Sequence, residues 1–498
     1  MTGNRCVIIG SGLGGLSCGL ILAKNGYEVT ILEQDSQIGG CLQCFHRNGI
    51  KFETGMHFIG SADKGQTLYN LSNYFGIIDD IVLDRLDPVG YNVVSLHGNE
   101  FKFANGKEPF VDVMSSYFPD SKDDLYRYYE LIERVAAASS LHSLKQSESN
   151  IATTAEYQMR SINDVLCEVI HNPLLREVLV GYLPLYAAEK DKTPFSTHAF
   201  ISDFYNLSAF RVVGGSDVIA SSLAKQIGKY GGNILTRKHV SKIICDDEKA
   251  TGVIVDDDAF IHADIVISDI HPVRALELID SKLIRPIFRN RINKIRNTTS
   301  CFSVYLHFKK DMVPYMNYNY FGYKDSPWDC EQYSDANWPK GYLYMHFCHE
   351  NNPKFAESGV IISYMSIKDV ERWTDTRIGH RGDDYESFKR RKAEVLLQEI
   401  EKKFPGLSAC IDNYYTSSPL TYRDYTGTPN GSMYGLAKDV SLGASCHVPF
   451  KTKIPNLIFA GQNINSHGML GVLVGTMIVC SNLIGEDNLF RQIREANK

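Results

Sequence analysis

The sequence predicts an α/β protein in two parts: a Rossmann-like dinucleotide-binding domain and a second, α+β domain built on an antiparallel sheet. Three observations predict it. The first 33 residues read as strand, glycine turn, helix, strand and acid. A second strand–glycine–helix block occupies 455–475, and between the two, segments around 298–308, 342–349 and 360–366 alternate like antiparallel strands. A chain of 498 residues is too long for one ordinary core, so two domains are the natural division. The expected boundaries are 1–75, 206–297 and 430–498 for the nucleotide domain, and 76–205 and 298–429 for a substrate domain.

The opening block gives each residue type a physical task. RCVII at 5–9 is an apolar run of strand length, followed at once by GSGLGG at 10–15. Gly10 makes the tight turn, Gly12 lets a pyrophosphate approach the backbone, and Gly15, helped by Gly19, lets the helix at 16–24 pack close to the sheet. The helix terminus offers free N–H groups and a positive dipole end to phosphates. EVTIL at 28–32 is a second β-branched strand, and Glu33 ends it. Its carboxylate can accept from ribose hydroxyls and disfavours a ribose phosphate. Gly39 and Gly40 allow another close backbone approach just beyond.

Bulk properties exclude other classes. Apolar residues make up 44% and charged residues 22%, with a net charge of −6. No basic run of five or more is present, which argues against nucleic acid or an anionic membrane face as the main partner. The four residues before Arg5 cannot hold a secretory signal, so the chain is expected in the cytoplasm with its twelve cysteines reduced. Cys41 and Cys44 form a C-x-x-C. With no second such pair, no metal site is expected, and two small buried thiols are favoured over a redox pair.

Further along, 49–60 is a glycine-bracketed strand and turn carrying Glu53 and His57. Residues 67–141 read as helical around a strand-like patch at 91–103, with an amphipathic helix at 120–139 led by acids. The Ser-, Thr- and Asn-rich stretch 141–155 is expected to be mobile, 162–186 helical, and the aromatic stripe 193–210 to be core. Ser216 is expected to cap a helix running to about 230, followed by strands at 233–235, 239–245, 251–255 and 263–268 that complete the nucleotide sheet, with Val240 near an adenine. An amphipathic helix is expected at 383–404. In the tail, 455–462 is a strand and glycine turn, and GMLGVLVG opens a helix from 468. The apolar run 468–485 is broken by glycines and reads as a buried helix against a cofactor rather than as a membrane span.

These blocks resemble a known family. VIIGSGLGGLSCGLILAKNGYEVTILEQ, IGGCLQCF and GIKFETGMHFIG are similar to the N-terminal signature of the FAD-dependent phytoene desaturase, carotenoid isomerase and retinol saturase group. FRVVGGSDVIASSLAKQIGKYGGNI is similar to its middle glycine block, and SPLTYRDYTGTPNGSMYGL with NLIFAGQNINSHGMLGVLVGTMIVCSNLIG to its C-terminal flavin block. The match runs in patches over nearly the whole chain, and the T-G-x-H-[FY]-I-G turn and G-Q-[DN] tail point to the saturases above all. Glu53 stands where many relatives have Asp, and Gln462 where many flavoproteins have Asp.

The resemblance implies FAD along the first domain, its ring facing the second, and a long apolar polyene or other unsaturated lipid as substrate. The cofactor contacts it implies are Gly10, Gly12, Leu13, Gly14, Gly15, Glu33, Gln34, Gly39, Gly40, Gly55, Met56, His57, Val240, Gly461, Gln462, Gly468, Gly471 and Val472. No second complete G-x-G-x-x-G is found, so a transiently bound NAD(P)H or a partner reductase is expected to bring electrons, and the lipid implies peripheral membrane contact. Saturation of a carbon–carbon bond needs a hydride and a proton. His57 is the first candidate for the proton, then His467, with Tyr205 and Tyr422 behind them. A desaturase or cis–trans isomerase is the alternative on the same scaffold. A flavin-free prenyl-protein escort and an amine oxidase fit less well.

Overall fold

The computed structural model describes residues 4–144, 151–348 and 353–498. The opening block folds as its pattern dictates. Arg5–Ile9, Glu28–Leu32, Asn233–Leu235, Ile265–Ser268 and Leu457–Phe459 form one five-stranded sheet, all parallel, with Arg5–Ile9 at its centre. Short apolar runs suit strands that are covered on both faces. The helix Leu13–Lys24 is buried from Gly14 through Ala23. It packs against the tail helix Gly468–Ile484 and against Asp217–Lys229.

The second sheet has seven strands, in the order Ile411–Ser417, Ser300–Phe308, Ser358–Met365, Gly341–Phe347, Asn319–Tyr323, Asn92–Leu96, Asn99–Phe103. Its neighbours pair antiparallel except Asn319–Tyr323 with Asn92–Leu96, which run parallel. The sheet thus takes strands from both stretches expected to build the second domain. Asp383–Lys403 covers one face through Phe388 and Leu396, which share a cluster with Phe302 and Tyr344. On the other side Leu343 and Tyr364 join a core with the helices Lys107–Tyr117 and Lys122–Ala137.

Several expectations are corrected. The stretch 67–141 is helical around strands at Asn92–Leu96 and Asn99–Phe103, as expected, but it also holds the short strand Leu83–Arg85, and its helices are the separate segments Thr67–Phe75, Lys107–Tyr117, Lys122–Ala137 and the start of Ser140–Ser143. The stretch 162–186 breaks at Pro173 into Ile162–Val169 and Pro173–Leu179, because proline cannot donate within a helix. Within 141–155, residues 145–150 lie outside the described residues; the flanking Ser140–Ser143 and Ile151–Gln158 are helical. Ser216 precedes Asp217–Lys229 but does not cap it: its Oγ donates to the Leu42 carbonyl at 3.0 Å instead. Only Asn233–Leu235 and Ile265–Ser268 join the parallel sheet. Val240–Cys245, Ala250–Val255 and Ala259–His262 make a separate antiparallel sheet.

Candidate active site

The register of the parallel sheet builds the site. Ile9 lies opposite Leu32 and Ser268, and Ser268 opposite Phe459. The residues that follow, Gly10, Glu33, Asp269 and Ala460, therefore leave the sheet side by side at the carboxyl ends of the strands, where open parallel sheets take ligands. Gly10 turns with φ +95°, a conformation that side chains resist. Glu33 Oε2 accepts from Ser11 N at 3.0 Å and Ser11 Oγ at 2.6 Å, and Oε1 accepts from Asp35 N at 2.9 Å. The acid expected at a ribose is thus also the brace of the glycine turn. The backbone N of Gly39 donates to the Ser11 carbonyl at 3.0 Å, which folds the 39–40 pair over that turn.

The tail meets the first helix closely. A Cβ on Gly14 would lie 3.0 Å from Gly461 Cα. Between them stands the Asp269 carboxylate, 2.8 Å from where a Cβ on Gly12 would sit and 2.6 Å from one on Gly461. Burial pushes the Asp269 carboxyl up to about 7; a hydrogen bond from the Gly15 amide opposes this, and the Glu33 charge adds to it.

A cavity of about 590 Å³ runs from these strand ends to the face of the seven-stranded sheet. Every charged side chain on its wall, Glu33, Asp35, Lys238, Asp269, Arg274 and Glu277, belongs to the strand-end half. The far half is uncharged and apolar, with Leu185, Tyr205, Leu343, Ile362, Tyr364 and Tyr434 among its walls. There the hydroxyls of Tyr364, Tyr422 and Tyr434 donate to the carbonyls of Leu183, Thr54 and Pro184, which leaves ring surface for a ligand.

The turn at 55–57 lies where the halves meet. Met56 N donates to the Cys41 carbonyl at 3.2 Å, and a Cβ on Gly55 would lie 2.7 Å from that oxygen. His57 lines the cavity, with Nδ1 3.5 Å from Glu53 Oε2; both side chains are buried. Arg211 donates to the His57 carbonyl at 3.2 Å and to Asn319 Oδ1 at 3.0 Å, tying the turn to the second sheet.

Of the residues singled out in the sequence, the cavity gathers Gly10, Gly12, Leu13, Gly14, Glu33, Gln34, Gly39, Gly40, Gly55, Met56, His57, Tyr205, Val240, Tyr422, Gly461, Gln462, Gly468 and Val472. It leaves out Gly15, Gly471 and His467. A Cβ on Gly15 would run into the Gly10 carbonyl, and one on Gly471 would lie 2.7 Å from Ser466 Cβ, so both serve packing. His467 packs against Tyr434 with the rings tilted and their centroids 4.6 Å apart, and burial, aided by Lys438, pushes it down to about 3. It has no proton to give near neutral pH. Tyr422 is held well above the usual phenol range by burial, and its proton is committed to Thr54. Cys41 is exposed, and it is part of the cavity wall; Cys44 is buried with Sγ 3.4 Å from Ser216 Oγ. Cys41 is thus not the buried thiol expected. Burial pushes Cys44 up to about 12, and an exposed thiol such as Cys41 is itself mostly protonated at neutral pH, so neither is predominantly a thiolate there. Asp269 and Arg211 were not legible as site residues. The available signal for Asp269 was its place directly after an apolar strand, the same place as Glu33.

A parallel-sheet crevice that opens onto an uncharged aromatic chamber is the architecture of a dinucleotide-binding protein with room for an apolar ligand. The model of the flavin containing amine oxidoreductase family matches residues 13–473, and the chain belongs to that family; it is an FAD-dependent oxidoreductase. It is 28% identical to the all-trans-retinol 13,14-reductase of Rattus norvegicus, over 98% of this chain and 86% of the relative. It is 24% identical to the chloroplastic prolycopene isomerase 1 of an Oncidium hybrid cultivar, over 94% of this chain and 82% of the relative. Among solved structures, an oxidoreductase from Methanosarcina mazei superposes with a TM-score of 0.64 at 18% identity, covering 96% of this chain and all of that one.

Proposed function

We propose that this chain acts on a carbon–carbon double bond of a long apolar polyene or similar lipid, as a saturase. A desaturase or cis–trans isomerase is the second reading on the same scaffold. The observation that carries the proposal is the partition of the cavity, with all charge at the strand ends and none in the aromatic half. A polyene fits such a chamber. An ammonium substrate would find no carboxylate there. The names of the rat and Oncidium relatives, a retinol reductase and a prolycopene isomerase, support the same substrate class.

The residues present fit FAD. The glycine turn and the terminus of Leu13–Lys24 would hold its pyrophosphate, Glu33 a ribose, Val240 the adenine, and the 55–57 turn with Gly461, Gln462 and the start of Gly468–Ile484 the ring. Bound there, FAD supplies two-electron chemistry at the ring. A flavin-free escort has no use for such a crevice. His57 holds and moves the proton at its imidazole, with the Glu53 carboxylate 3.5 Å from its Nδ1. The rings of Tyr205, Tyr364 and Tyr434 exclude water from the reacting bond. Electrons come from transiently bound NAD(P)H or a reductase, and the chain works in the cytoplasm in peripheral contact with the membrane that holds its lipid. The test is to purify the full chain, reduce its flavin anaerobically and screen retinoids and carotenoids for flavin reoxidation. Reoxidation by a polyene is expected. Reoxidation only by amines or by oxygen would overturn the proposal.

A further inference from the structure

The charge at the strand ends does not balance. The cavity carries the carboxylates of Glu33, Asp35, Asp269 and Glu277 against the cations Lys238 and Arg274. Each cation is already engaged: Lys238 Nζ donates to Asp256 at 2.6 Å and Arg274 to Glu277 at 2.9 Å. His271 shares the wall, but burial pushes it down to about 4, so it stays neutral. His239 is exposed, Cys41 brings no cation, and the tail turn offers only the neutral Gln462 and Asn463. Glu33 is hydrogen-bonded through both oxygens, whereas Asp269 Oδ1 is shut off from solvent with no hydrogen-bond partner. That oxygen points between Gly14 and Gly461, at the terminus of the first helix. An anionic pyrophosphate is drawn to the same terminus. Two such charges side by side in a desolvated crevice are costly; the Gly15 amide holds only one side of the Asp269 carboxylate, and a buried carboxylate with an unpaired oxygen relieves the cost by taking a proton.

We propose that Asp269 couples cofactor binding to proton uptake: the flavin dinucleotide binds the chain with Asp269 as the neutral acid, and the ionised form repels it. The inference rests on the flavin reading above. Protonation removes the repulsion and gives Oδ a hydrogen to donate within the crevice.

The sign follows from linkage. If only the protonated form binds, affinity is flat below the carboxyl's pKa and falls up to about tenfold per pH unit above it. The experiment titrates FAD into the full chain at pH 6, 7 and 8, following flavin fluorescence, with wild type and Asp269→Asn in parallel. Wild-type Kd is expected to rise several-fold or more from pH 7 to 8, while the Asn variant stays level and binds at least about fivefold tighter than wild type at pH 8. Calorimetry of the wild type at pH 8, in two buffers of different ionisation enthalpy, should show close to one proton taken up per FAD, which decides the matter even if the variant does not fold. A pH-independent wild-type Kd with no proton uptake, or a variant that keeps the wild-type profile, overturns the proposal while leaving the flavin reading intact. A wild type that binds no FAD at any pH overturns the flavin reading itself.

Discussion

At the scale of single residues, His57 is the group best placed to handle a proton. It stands at the junction of the charged and apolar halves, with Glu53 beside its Nδ1. We expect His57→Gln to keep full FAD content while reoxidation of reduced flavin by substrate slows about a hundredfold, the scale of a lost acid. Stopped-flow absorbance at the flavin band measures it, and an unchanged rate would leave His57 a structural residue. The cysteine pair makes the opposite prediction. With both thiols mostly protonated at neutral pH, the Cys41→Ser, Cys44→Ser double variant should keep turnover within about tenfold, or about 1.4 kcal/mol of barrier. A loss of several orders of magnitude with FAD still bound would reveal redox work by the pair. At this scale the sequence was legible where backbone constraint or a family turn marked a residue: Gly10, Glu33 and His57 were all readable. It was not legible for Asp269, because one acid after one strand gains meaning only when the register brings four strand ends together.

At the scale of elements, the contact that matters is that of Leu13–Lys24 with the tail. Gly14 and Gly475 are both small residues on facing helices, and their surroundings differ. A Cβ on Gly14 would collide with Asp269 and lie 3.0 Å from Gly461 Cα, whereas one on Gly475 meets nothing closer than 3.8 Å. Gly14→Ala should therefore spread the crevice at a cost of about 1–3 kcal/mol and weaken FAD at least tenfold. Gly475→Ala should leave affinity within about twofold. Fluorescence titration of the two variants checks the contrast, and equal effects would mean that the tail does not form the crevice wall. Among the described residues no single helix is long and apolar enough to cross a membrane, and Gly468–Ile484 is bent by 120° from the helix after it. The sequence announced the strongly patterned elements, such as Glu28–Leu32 and Asp383–Lys403. It hid Asn319–Tyr323 and Ile411–Ser417, whose tyrosines and asparagines show no alternation; their strand state comes from the neighbours they pair with.

At the scale of the whole molecule, pH sets stability through groups far from the crevice as well as in it. Burial pushes His198, His346 and His467 down to about 3 and His271 to about 4, so all four are neutral in the folded protein. In the unfolded chain each takes a proton below about pH 6.5. Their contribution is therefore full above pH 6.5 and is lost as pH falls toward the folded values. The raised carboxyls of Asp269 and Glu331, at about 7 and about 6, work the other way near pH 5, but they are two groups against four. Stability should drop by up to about 3 kcal/mol per pH unit near pH 5. Urea unfolding at pH 7 and pH 5 measures this, and an unchanged midpoint would mean that the imidazoles are charged in the native state. The sheet order has a consequence in time as well. Leu457–Phe459 closes a sheet that Arg5–Ile9 and Glu28–Leu32 begin, and Gly468–Ile484 covers a helix whose residues from Gly14 to Ala23 are all buried. At ribosomal rates of about 5–20 residues per second, the amino-terminal unit waits roughly 20–85 s for its last strand. Through that interval the face of its apolar helix that meets Gly468–Ile484 has no permanent cover, so a nascent chain of this protein is a client for whatever shields apolar surface at the ribosome exit, and a message cut short near its end yields a chain that cannot shelter its own beginning.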